Sequence, residues 1–462
     1  MGKRKGRYFD KWRSLLSAKR VYGSCDSPEL KEYPISPKEE KEARTPFECD
    51  YERVLFSSCF RRLAGKTQVR PFADSDYVHN RLTHSIEVAA VCEALARNIS
   101  LFLLGRNDIE ESDCESIKWI TKAAGISHDI GNPPYGHAGE FAIQEWANNL
   151  DQVDMPMFHS PAWFDLALFD GNAQGFRLLS RPDPRPTSYF HFTCATLGSV
   201  VKYPWTAMQA RSNKIKKFDV FSTEERIFND VWRELQLNLD GKCVRHPLSF
   251  LSEAADDICY RILDFEDAVA MHILQEEDVN SILIGGLENK DINLFKKHNY
   301  PLQWVRAKII GRLIAAFTEQ FKKHYDEIMC GTFVTARRKD LRACFDKRRG
   351  VGKMLECLDK KYSVLYTEHD KVLNEISGFH QIPLLLENYL VLLKDMFSNE
   401  NRIVPKYKKL SAKSRQLVTL AWGERYYSEN SDKQFSWWLH TVLDFVVGMT
   451  DGYITKVSSK LG

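Results

Sequence analysis

The chain is organised around one stretch, Gly125-Ile126-Ser127-His128-Asp129-Ile130-Gly131-Asn132-Pro133-Pro134-Tyr135-Gly136-His137-Ala138-Gly139-Glu140. Upstream of it, apolar residues between Ser116 and Ile126 recur at a mostly helical spacing, which predicts a buried helix. Gly131 and the Pro133-Pro134 pair end that helix, because proline lacks a backbone donor and clashes with the preceding turn. An imidazole beside a carboxylate at the end of a buried helix is unfavourable unless something pairs with it. A divalent metal ion would be such a partner, so the stretch predicts part of an active site.

Composition and charge narrow the class of protein. With 462 residues, the chain can bury a large core and hold one elaborated domain or two or three smaller ones. A net charge of +3 with 27% charged residues excludes a protein that binds polyanions over its whole surface. No apolar run approaches the roughly 20 residues of a membrane helix, and no apolar stretch follows the basic N-terminus. The eleven cysteines include no CxxC pair, so we expect a cytoplasmic protein with reduced thiols and no membrane association.

Three regions are predicted along the chain. Residues 1–45 form a basic N-terminal arm, which is either solvated or in contact with nucleic acid or another subunit. Residues 46–300 contain the three predicted helices that carry the candidate site residues, and within them residues 150–247 are of mixed character. Residues 301–462 form a C-terminal region whose apolar residues recur at helical spacing.

Within the C-terminal region, Pro383 to Met396 and Phe435 to Val447 have helical periodicity. Gly350-Val351-Gly352-Lys353 is predicted to be a loop and is too short for a phosphate-cradling motif. The basic run Arg337-Arg338-Lys339-Asp340-Leu341-Arg342 is either a solvated helix face or a site for nucleic acid or an effector nucleotide.

A second histidine lies near the start of a long predicted helix. His84 belongs to Asn80-Arg81-Leu82-Thr83-His84-Ser85, and the helix runs to about Ser100. Its buried stripe consists of Val88, Val91, Cys92, Leu95 and Ile99. A lone histidine there would more often be a surface or core residue. It gains weight because the His128-Asp129 pair occupies a similar position at the end of another helix.

A third predicted helix, from Leu248 to Met271, carries Asp256, Tyr260 and Asp264 every four residues, so they lie along one side. Another side is apolar, consisting of Leu251, Ala255, Ile258, Ile262 and Phe265. Asp256 is either a solvated acid or a carboxylate that faces a cleft. Two imidazoles and two carboxylates suit Mn, Fe, Zn or Mg, with positions left for water or substrate.

The order His84, His128-Asp129, Asp256 resembles that of the HD-domain phosphohydrolases, and longer strings resemble the deoxyguanosine triphosphate triphosphohydrolases among them. Those strings are Phe60-Arg61-Arg62-Leu63, Lys66-Thr67-Gln68-Val69, Asn80-Arg81-Leu82-Thr83-His84-Ser85, His128-Asp129-Ile130-Gly131-Asn132-Pro133-Pro134 and Glu253-Ala254-Ala255-Asp256-Asp257-Ile258. The resemblance covers residues 45–270. It implies an all-α fold with an HD-domain helical core, a helical lid and a C-terminal helical extension. Residues 46–300 would be the catalytic domain, with residues 150–247 as the lid that carries phosphate-binding residues. Residues 301–462 would be the extension, with a role in oligomerisation and in effector binding.

The resemblance also implies a set of site residues. One divalent metal ion per subunit, with manganese or magnesium favoured over iron or zinc, would be bound by His84, His128, Asp129 and Asp256. The catalytic pair would be His137 and Glu140, although a loop histidine that caps the Gly136 turn is the alternative for His137. The substrate-binding residues would be Gln68, Arg81, Lys202, Tyr203, Lys217, Tyr260 and Asp264. Among these, Gln68 and Asp264 match residues that hold the sugar 3′-hydroxyl, and Tyr260 matches an aromatic residue packed on the deoxyribose.

The activity that the resemblance implies is metal-dependent hydrolysis of dGTP, or of other dNTPs, at the α-phosphate to give deoxynucleoside and inorganic triphosphate. A second hypothesis is another HD-domain hydrolase, such as a nucleotidase or a cyclic-nucleotide or alarmone hydrolase. A third is a nucleotide or DNA sensor without activity, which would have no need of the metal ligands. The implied partners are further copies of the chain in a hexamer or tetramer, and single-stranded DNA or an effector nucleotide.

Overall fold

The computed structural model describes residues 5–24, 27–32, 43–68, 78–150, 160–181, 190–298, 300–335, 338–366, 369–397 and 404–461. Parts of the predicted arm, Val69 and Arg337 lie outside the described residues.

The described chain is almost wholly helical. Its α-helices are Phe9–Leu15, Pro46–Leu55, Ser58–Arg62, Arg81–Gly105, Asp113–Ser127, His137–Asn149, Pro161–Ala167, Gly171–Ser180, Cys194–Val200, Ala207–Ser212, Glu225–Glu234, Ser249–Ala270, Glu276–Ile284, Asn289–His298, Leu302–Lys323, Tyr325–Met329, Gly350–Tyr366, His369–Met396, Ala412–Ala421, Glu424–Glu429, Phe435–Val447 and Asp451–Leu461. Within the described ranges, the β-strands form two antiparallel pairs, Arg20–Ser24 with Ser27–Lys31 and Asn238–Leu239 with Lys242–Cys243. The all-α prediction is confirmed.

Helix Arg81–Gly105 is at the centre of the larger of two hydrophobic cores. It packs against Asp113–Ser127 and Ser249–Ala270, and its predicted stripe from Val88 to Ile99 is buried. By length and composition this helix could cross a membrane, but half of its most apolar window is buried inside the protein. Burial of an apolar face against neighbouring helices is the ordinary arrangement of a core helix.

The start of this helix places His84 in its first turn. The side chain of Asn80 accepts the backbone N–H groups of Leu82 and Thr83, and the hydroxyl of Thr83 accepts the backbone N–H of Asn80. This capping box satisfies backbone donors that the first turn of a helix otherwise leaves without partners. The sequence Asn80 to Thr83 therefore fixes where the helix begins.

The turn after helix Asp113–Ser127 is shaped by a close approach between backbones. A Cβ on Gly131 would lie 2.1 Å from the carbonyl oxygen of Gly171 and 2.1 Å from the backbone nitrogen of Gly175. Only glycine therefore lets helix Gly171–Ser180 pack directly on this turn.

The second hydrophobic core joins helix His137–Asn149 to helices Pro161–Ala167 and Ala207–Ser212 and to the C-terminal helices His369–Met396 and Phe435–Val447. The C-terminal region contributes to both cores, because helices Leu302–Lys323 and Gly350–Tyr366 pack in the first. The two cores meet at the turn between His128 and His137. The domain boundaries at residues 45 and 300 stay predictions.

Three sequence expectations are wrong. The described part of the N-terminal segment is not a solvated arm, because Trp12 and Leu15 are buried and Arg20 forms a buried 2.6 Å ion pair with Asp50. Apolar residues at helical spacing within the basic run produce this packing. Gly350 begins a helix instead of a loop. The helix that precedes His128-Asp129 ends at Ser127 with His128 as its C-cap, so the pair does not form its last turn as the sequence predicts.

Candidate active site

Three of the predicted metal ligands converge in one cleft. His84, His128 and Asp256 come from the first turn of one helix, the end of a second and the middle of a third. Their ligand atoms all lie within 4.8 Å of one another. Nε2 of His84 is 3.2 Å and Nε2 of His128 is 3.5 Å from Oδ1 of Asp256. We call these three residues the ligand wall.

The backbone carbonyl of Gly125 sets the tautomer of His128. Nδ1 donates to the carbonyl oxygen of Gly125 at 2.7 Å, which leaves a lone pair on Nε2. Among the described residues, Nε2 is a buried atom without a hydrogen-bond partner. A metal-binding histidine characteristically donates its other N–H to a carbonyl or carboxylate in this way. The two imidazoles and the carboxylate therefore fit a borderline divalent ion.

Asp129 lies beside this group rather than within it. Its Oδ1 is 3.5 Å from Nε2 of His128, and its Oδ2 accepts a 2.8 Å hydrogen bond from Nη1 of Arg81. The side chain of Asn132 also donates to Asp129. Burial acts to raise the pKa of Asp129, but the guanidinium of Arg81 and the neighbouring imidazoles lower it to about 2. Asp129 is therefore an anion that faces the same cleft.

Positive charge stabilises the ionised form of Asp256. Burial acts to raise its pKa, but His128, Lys202 and His84 hold the pKa well below its ordinary value. Nζ of Lys202 donates to Oδ2 of Asp256 at 3.4 Å. Burial acts to lower the pKa of Lys202, but the neighbouring acids together, Asp256 first and then Glu253 and Asp257, raise it above its ordinary value.

His137 and Glu140 occupy the opposite side of the cleft, in the first turn of helix His137–Asn149. Nδ1 of His137 is 2.7 Å from Oε2 of Glu140, so it donates to the carboxylate and leaves Nε2 directed elsewhere. Oε1 of Glu140 accepts the backbone N–H of Gly171 at 2.8 Å. Glu140 is buried, whereas the side chain of His137 is 68% exposed. The histidine can therefore meet a molecule that enters the cleft.

A lysine links Glu140 to a second buried carboxylate. Nζ of Lys217 is 3.0 Å from Oδ2 of Asp170 and 3.9 Å from Oε2 of Glu140. Burial and the charge of Glu140 raise the pKa of Asp170. The pKa of Glu140 is lowered, because the bond from His137 and the charge of Lys217 outweigh burial. We call His137, Glu140, Asp170 and Lys217 the proton wall.

Gly136 joins the two walls in a conformation that other residues rarely adopt. Its φ is +57°, and a Cβ there would lie 2.6 Å from Nη2 of Arg81. Glycine therefore lets the guanidinium of Arg81 lie against the turn that precedes His137.

The remaining predicted residues are distributed around the cleft. Gln68 and Tyr260 line it together with members of both walls, and Oε1 of Gln68 is a buried atom without a partner among the described residues. Asp264 is buried one turn beyond Tyr260 and acts electrostatically on His84. Tyr203 is not among the described residues that line the cleft; burial raises the pKa of its hydroxyl to about 12, and its backbone N–H donates to Asp219 at 2.9 Å.

Sequence reasoning missed several residues that line the cleft: Thr67, Asn132, Tyr135, Asp170, Asn172 and Glu375. Thr67, Asn132 and Tyr135 fall in the sequence strings quoted above, but a string does not give each member a role. Glu375 is far along the chain from the other lining residues. No local pattern in the sequence could have indicated its position.

Comparison with known proteins identifies the family that this chain resembles. The HD domain family profile matches residues 81–157. A "Deoxyguanosinetriphosphate triphosphohydrolase-like protein" of Pseudomonas aeruginosa is 30% identical, with 97% of this chain and 98% of that protein covered. A protein of Listeria monocytogenes with the same name is also 30% identical, with 98% and 99% covered. A "Deoxyguanosinetriphosphate triphosphohydrolase" of Salmonella arizonae is 28% identical, with 91% and 94% covered.

Proposed function

The chain belongs to the deoxyguanosinetriphosphate triphosphohydrolase-like family of HD-domain hydrolases, and from this premise we propose that it is a metal-dependent dNTP triphosphohydrolase that accepts dGTP. The reaction would yield a deoxynucleoside and inorganic triphosphate. The observation that carries the proposal is one cleft in which a three-residue metal-binding group faces a histidine–carboxylate pair, with lysines on both sides.

The ligand wall would hold the cation. A divalent ion bound by His84, His128 and Asp256, with Asp129 beside them, would supply Lewis-acid polarisation of a phosphoryl oxygen and activation of water. The buried Nε2 of His128 supports this role, because it would otherwise remain without a partner. Manganese or magnesium is our first choice.

The proton wall would serve the leaving group. Water attacks the α-phosphorus, the bond from phosphorus to the 5′-oxygen breaks, and that oxygen needs a proton. The side chain of His137 is exposed, so its Nε2 can deliver the proton. Glu140 accepts the hydrogen bond from Nδ1 and stabilises the positive charge of the imidazolium. The tautomer is thus fixed by a buried acceptor, which favours a proton-transferring role over a simple cap of the Gly136 turn.

The cations of the cleft would bind the triphosphate. Lys202, Lys217 and Arg81 are each paired with a carboxylate of the site. Such cations can contribute to phosphate binding while they balance the buried acids. Tyr203 would belong to the same phosphate-binding group, because its backbone N–H and that of Lys202 both donate to Asp219.

The sugar would lie between Gln68 and Tyr260. Oε1 of Gln68 is a buried acceptor that a 3′-hydroxyl could satisfy. A tyrosine packed on C2′ would leave no room for a ribose 2′-hydroxyl, and Asp264 would reinforce the same subsite. We therefore expect a preference for deoxynucleotides. The choice of base, the oligomer, regulation by DNA or nucleotides, and a cytoplasmic location all stay predictions.

The test is product analysis with controlled metal. The purified protein is stripped with chelator, supplied with Mn or Mg, and given each of the four dNTPs and GTP. We expect inorganic triphosphate and deoxynucleoside, formed only after metal is restored. Nucleoside monophosphate with pyrophosphate would instead favour another HD-domain hydrolase, and no turnover of any nucleotide would favour a sensor.

A further inference from the structure

A buried aspartate near the C-terminus connects two loops of the cleft. Asp451 is the first residue of helix Asp451–Leu461 and is 2% exposed. Its Oδ2 accepts the backbone N–H of Thr67 at 3.0 Å and the hydroxyl of Thr67 at 2.7 Å. Its Oδ1 accepts the backbone N–H of Tyr135 at 3.0 Å. Each carboxylate oxygen therefore holds a different loop.

The two loops lead directly to opposite parts of the cleft. Thr67 precedes Gln68, and Tyr135 lies two residues before His137. A carboxylate that accepts from both backbones fixes the separation of these loops more firmly than neutral acceptors would, because hydrogen bonds to an ionised group are the stronger kind.

The Tyr135 turn needs such support. Its φ is +63°, a strained conformation for a residue with a bulky side chain. The hydroxyl of Tyr135 donates to Oε1 of Gln381 at 2.8 Å and lies 3.0 Å from Oγ1 of Thr455. A Cβ on Gly378 would lie 2.9 Å from the tyrosine ring. The C-terminal helices therefore hold this residue at its backbone, its ring and its hydroxyl.

A second link runs in parallel. Nζ of the buried Lys66 donates to the carbonyl oxygens of Asn132 at 2.6 Å and Val447 at 2.7 Å. Lys66 and Asp451 thus connect the same three segments, namely residues 66–68, residues 132–135 and residues 447–451. We call these two residues the clasp.

We propose that Asp451 is a positioning residue for the reaction, which sets the place of Gln68 relative to His137, so that the C-terminal segment completes the active site. This inference rests on the proposed function, because the roles of Gln68 and His137 come from it. Asp451 itself is not among the described residues that line the cleft.

The test compares Asp451→Asn with the wild type. An amide offers one acceptor oxygen where the carboxylate offers two, so its N–H group faces a backbone donor. We expect kcat for dGTP to fall about tenfold or more, and the ratio of kcat/KM for dGTP to that for GTP to become smaller, because Gln68 is less well held. Metal content should be unchanged, because the ligands are elsewhere.

Controls separate positioning from folding. Gly452→Ala, on the solvent side of the same helix with open space for a Cβ, should retain wild-type kinetics. Thr67→Val removes only the hydroxyl donor. It should lower the ratio of kcat/KM for dGTP to that for GTP, with a smaller loss of kcat than in Asp451→Asn. This variant serves as the test if Asp451→Asn folds poorly. Asp451→Glu retains both oxygens and should recover part of the loss.

Hydrogen exchange gives a readout that does not depend on activity. In Asp451→Asn, the backbone amides of Thr67 and Tyr135 should exchange faster, whereas those of helix Arg81–Gly105 should not change. Unchanged exchange at both amides would overturn the role of Asp451, whether or not the wild type hydrolyses a dNTP. Inactivity of the wild type on every dNTP would reject the proposed function, and it would leave this exchange test valid. A loss of kcat with unchanged KM and an unchanged dGTP to GTP ratio would also overturn the inference.

Discussion

The two walls of the cleft differ in exposure. The side chains of His84 and His128 are 2% and 9% exposed, whereas that of His137 is 68% exposed. Ligands of a cation must converge on one point away from competing water, so they occupy ends and faces of helices in the first core. A group that gives a proton to an arriving substrate must instead remain reachable. Only its buried partner, Glu140, is fixed within the second core.

This difference predicts that the walls can be damaged separately. Loss of a ligand should remove the metal without disturbing the pair of His137 and Glu140. Loss of His137 should stop proton transfer without disturbing the metal.

The largest effect is expected for Asp256→Ala, because the carboxylate of Asp256 lies next to both imidazoles of the ligand wall. Metal content should fall to background, and turnover should fall by more than the roughly 10⁴-fold upper range for one proton-transferring group, because water activation is lost as well. Elemental analysis and triphosphate release measure the two quantities.

A matched control for Asp256→Ala is Asp257→Ala, since the carboxylate of Asp257 pairs with Arg261 on another side of the same helix. This variant should keep its metal. Full metal content in Asp256→Ala would contradict the assignment of the ligand wall.

The next effect is expected for His137→Ala. We predict a fall of kcat by about 10² to 10⁴-fold, with metal content and KM for dGTP close to wild-type values, because the phosphate-binding cations remain. Steady-state kinetics with metal analysis measures this. Glu145→Ala, on the exposed side of the same helix, serves as control, and undiminished turnover in His137→Ala would reject the catalytic role.

The separate origins of the two walls explain how far the sequence could predict the site. His84, His128 and Asp256 lie on helices whose apolar periodicity is readable, and their convergence requires only that those helices pack together. Asp170 and Lys217 meet Glu140 through the packing of the second core, which no local pattern specifies. Asp451 and Glu375 are further examples, because their places depend on how the C-terminal helices return to the cleft.

The smallest effect concerns Lys66, which belongs to the clasp and donates to the carbonyl oxygens of Asn132 and Val447. Burial lowers its pKa from 10.5 to about 7, so between these values the unfolded chain binds more protons than the folded chain. The free energy of unfolding should therefore gain a positive slope with pH from about 7 to 10.5, and the penalty is complete below pH 7. Urea unfolding at several pH values measures this slope. Lys66→Met should reduce the slope, whereas Lys242→Met, at an exposed position, should leave it unchanged. An identical slope in Lys66→Met would show that the lysine keeps its ordinary pKa in the fold.

The central claim is that water attacks the α-phosphorus of a dNTP in this cleft. Hydrolysis of dGTP in ¹⁸O-labelled water, followed by mass spectrometry of both products, tests it directly. We predict one labelled oxygen in inorganic triphosphate and none in deoxyguanosine. Label in deoxyguanosine, or in inorganic phosphate or pyrophosphate formed in place of triphosphate, would contradict it.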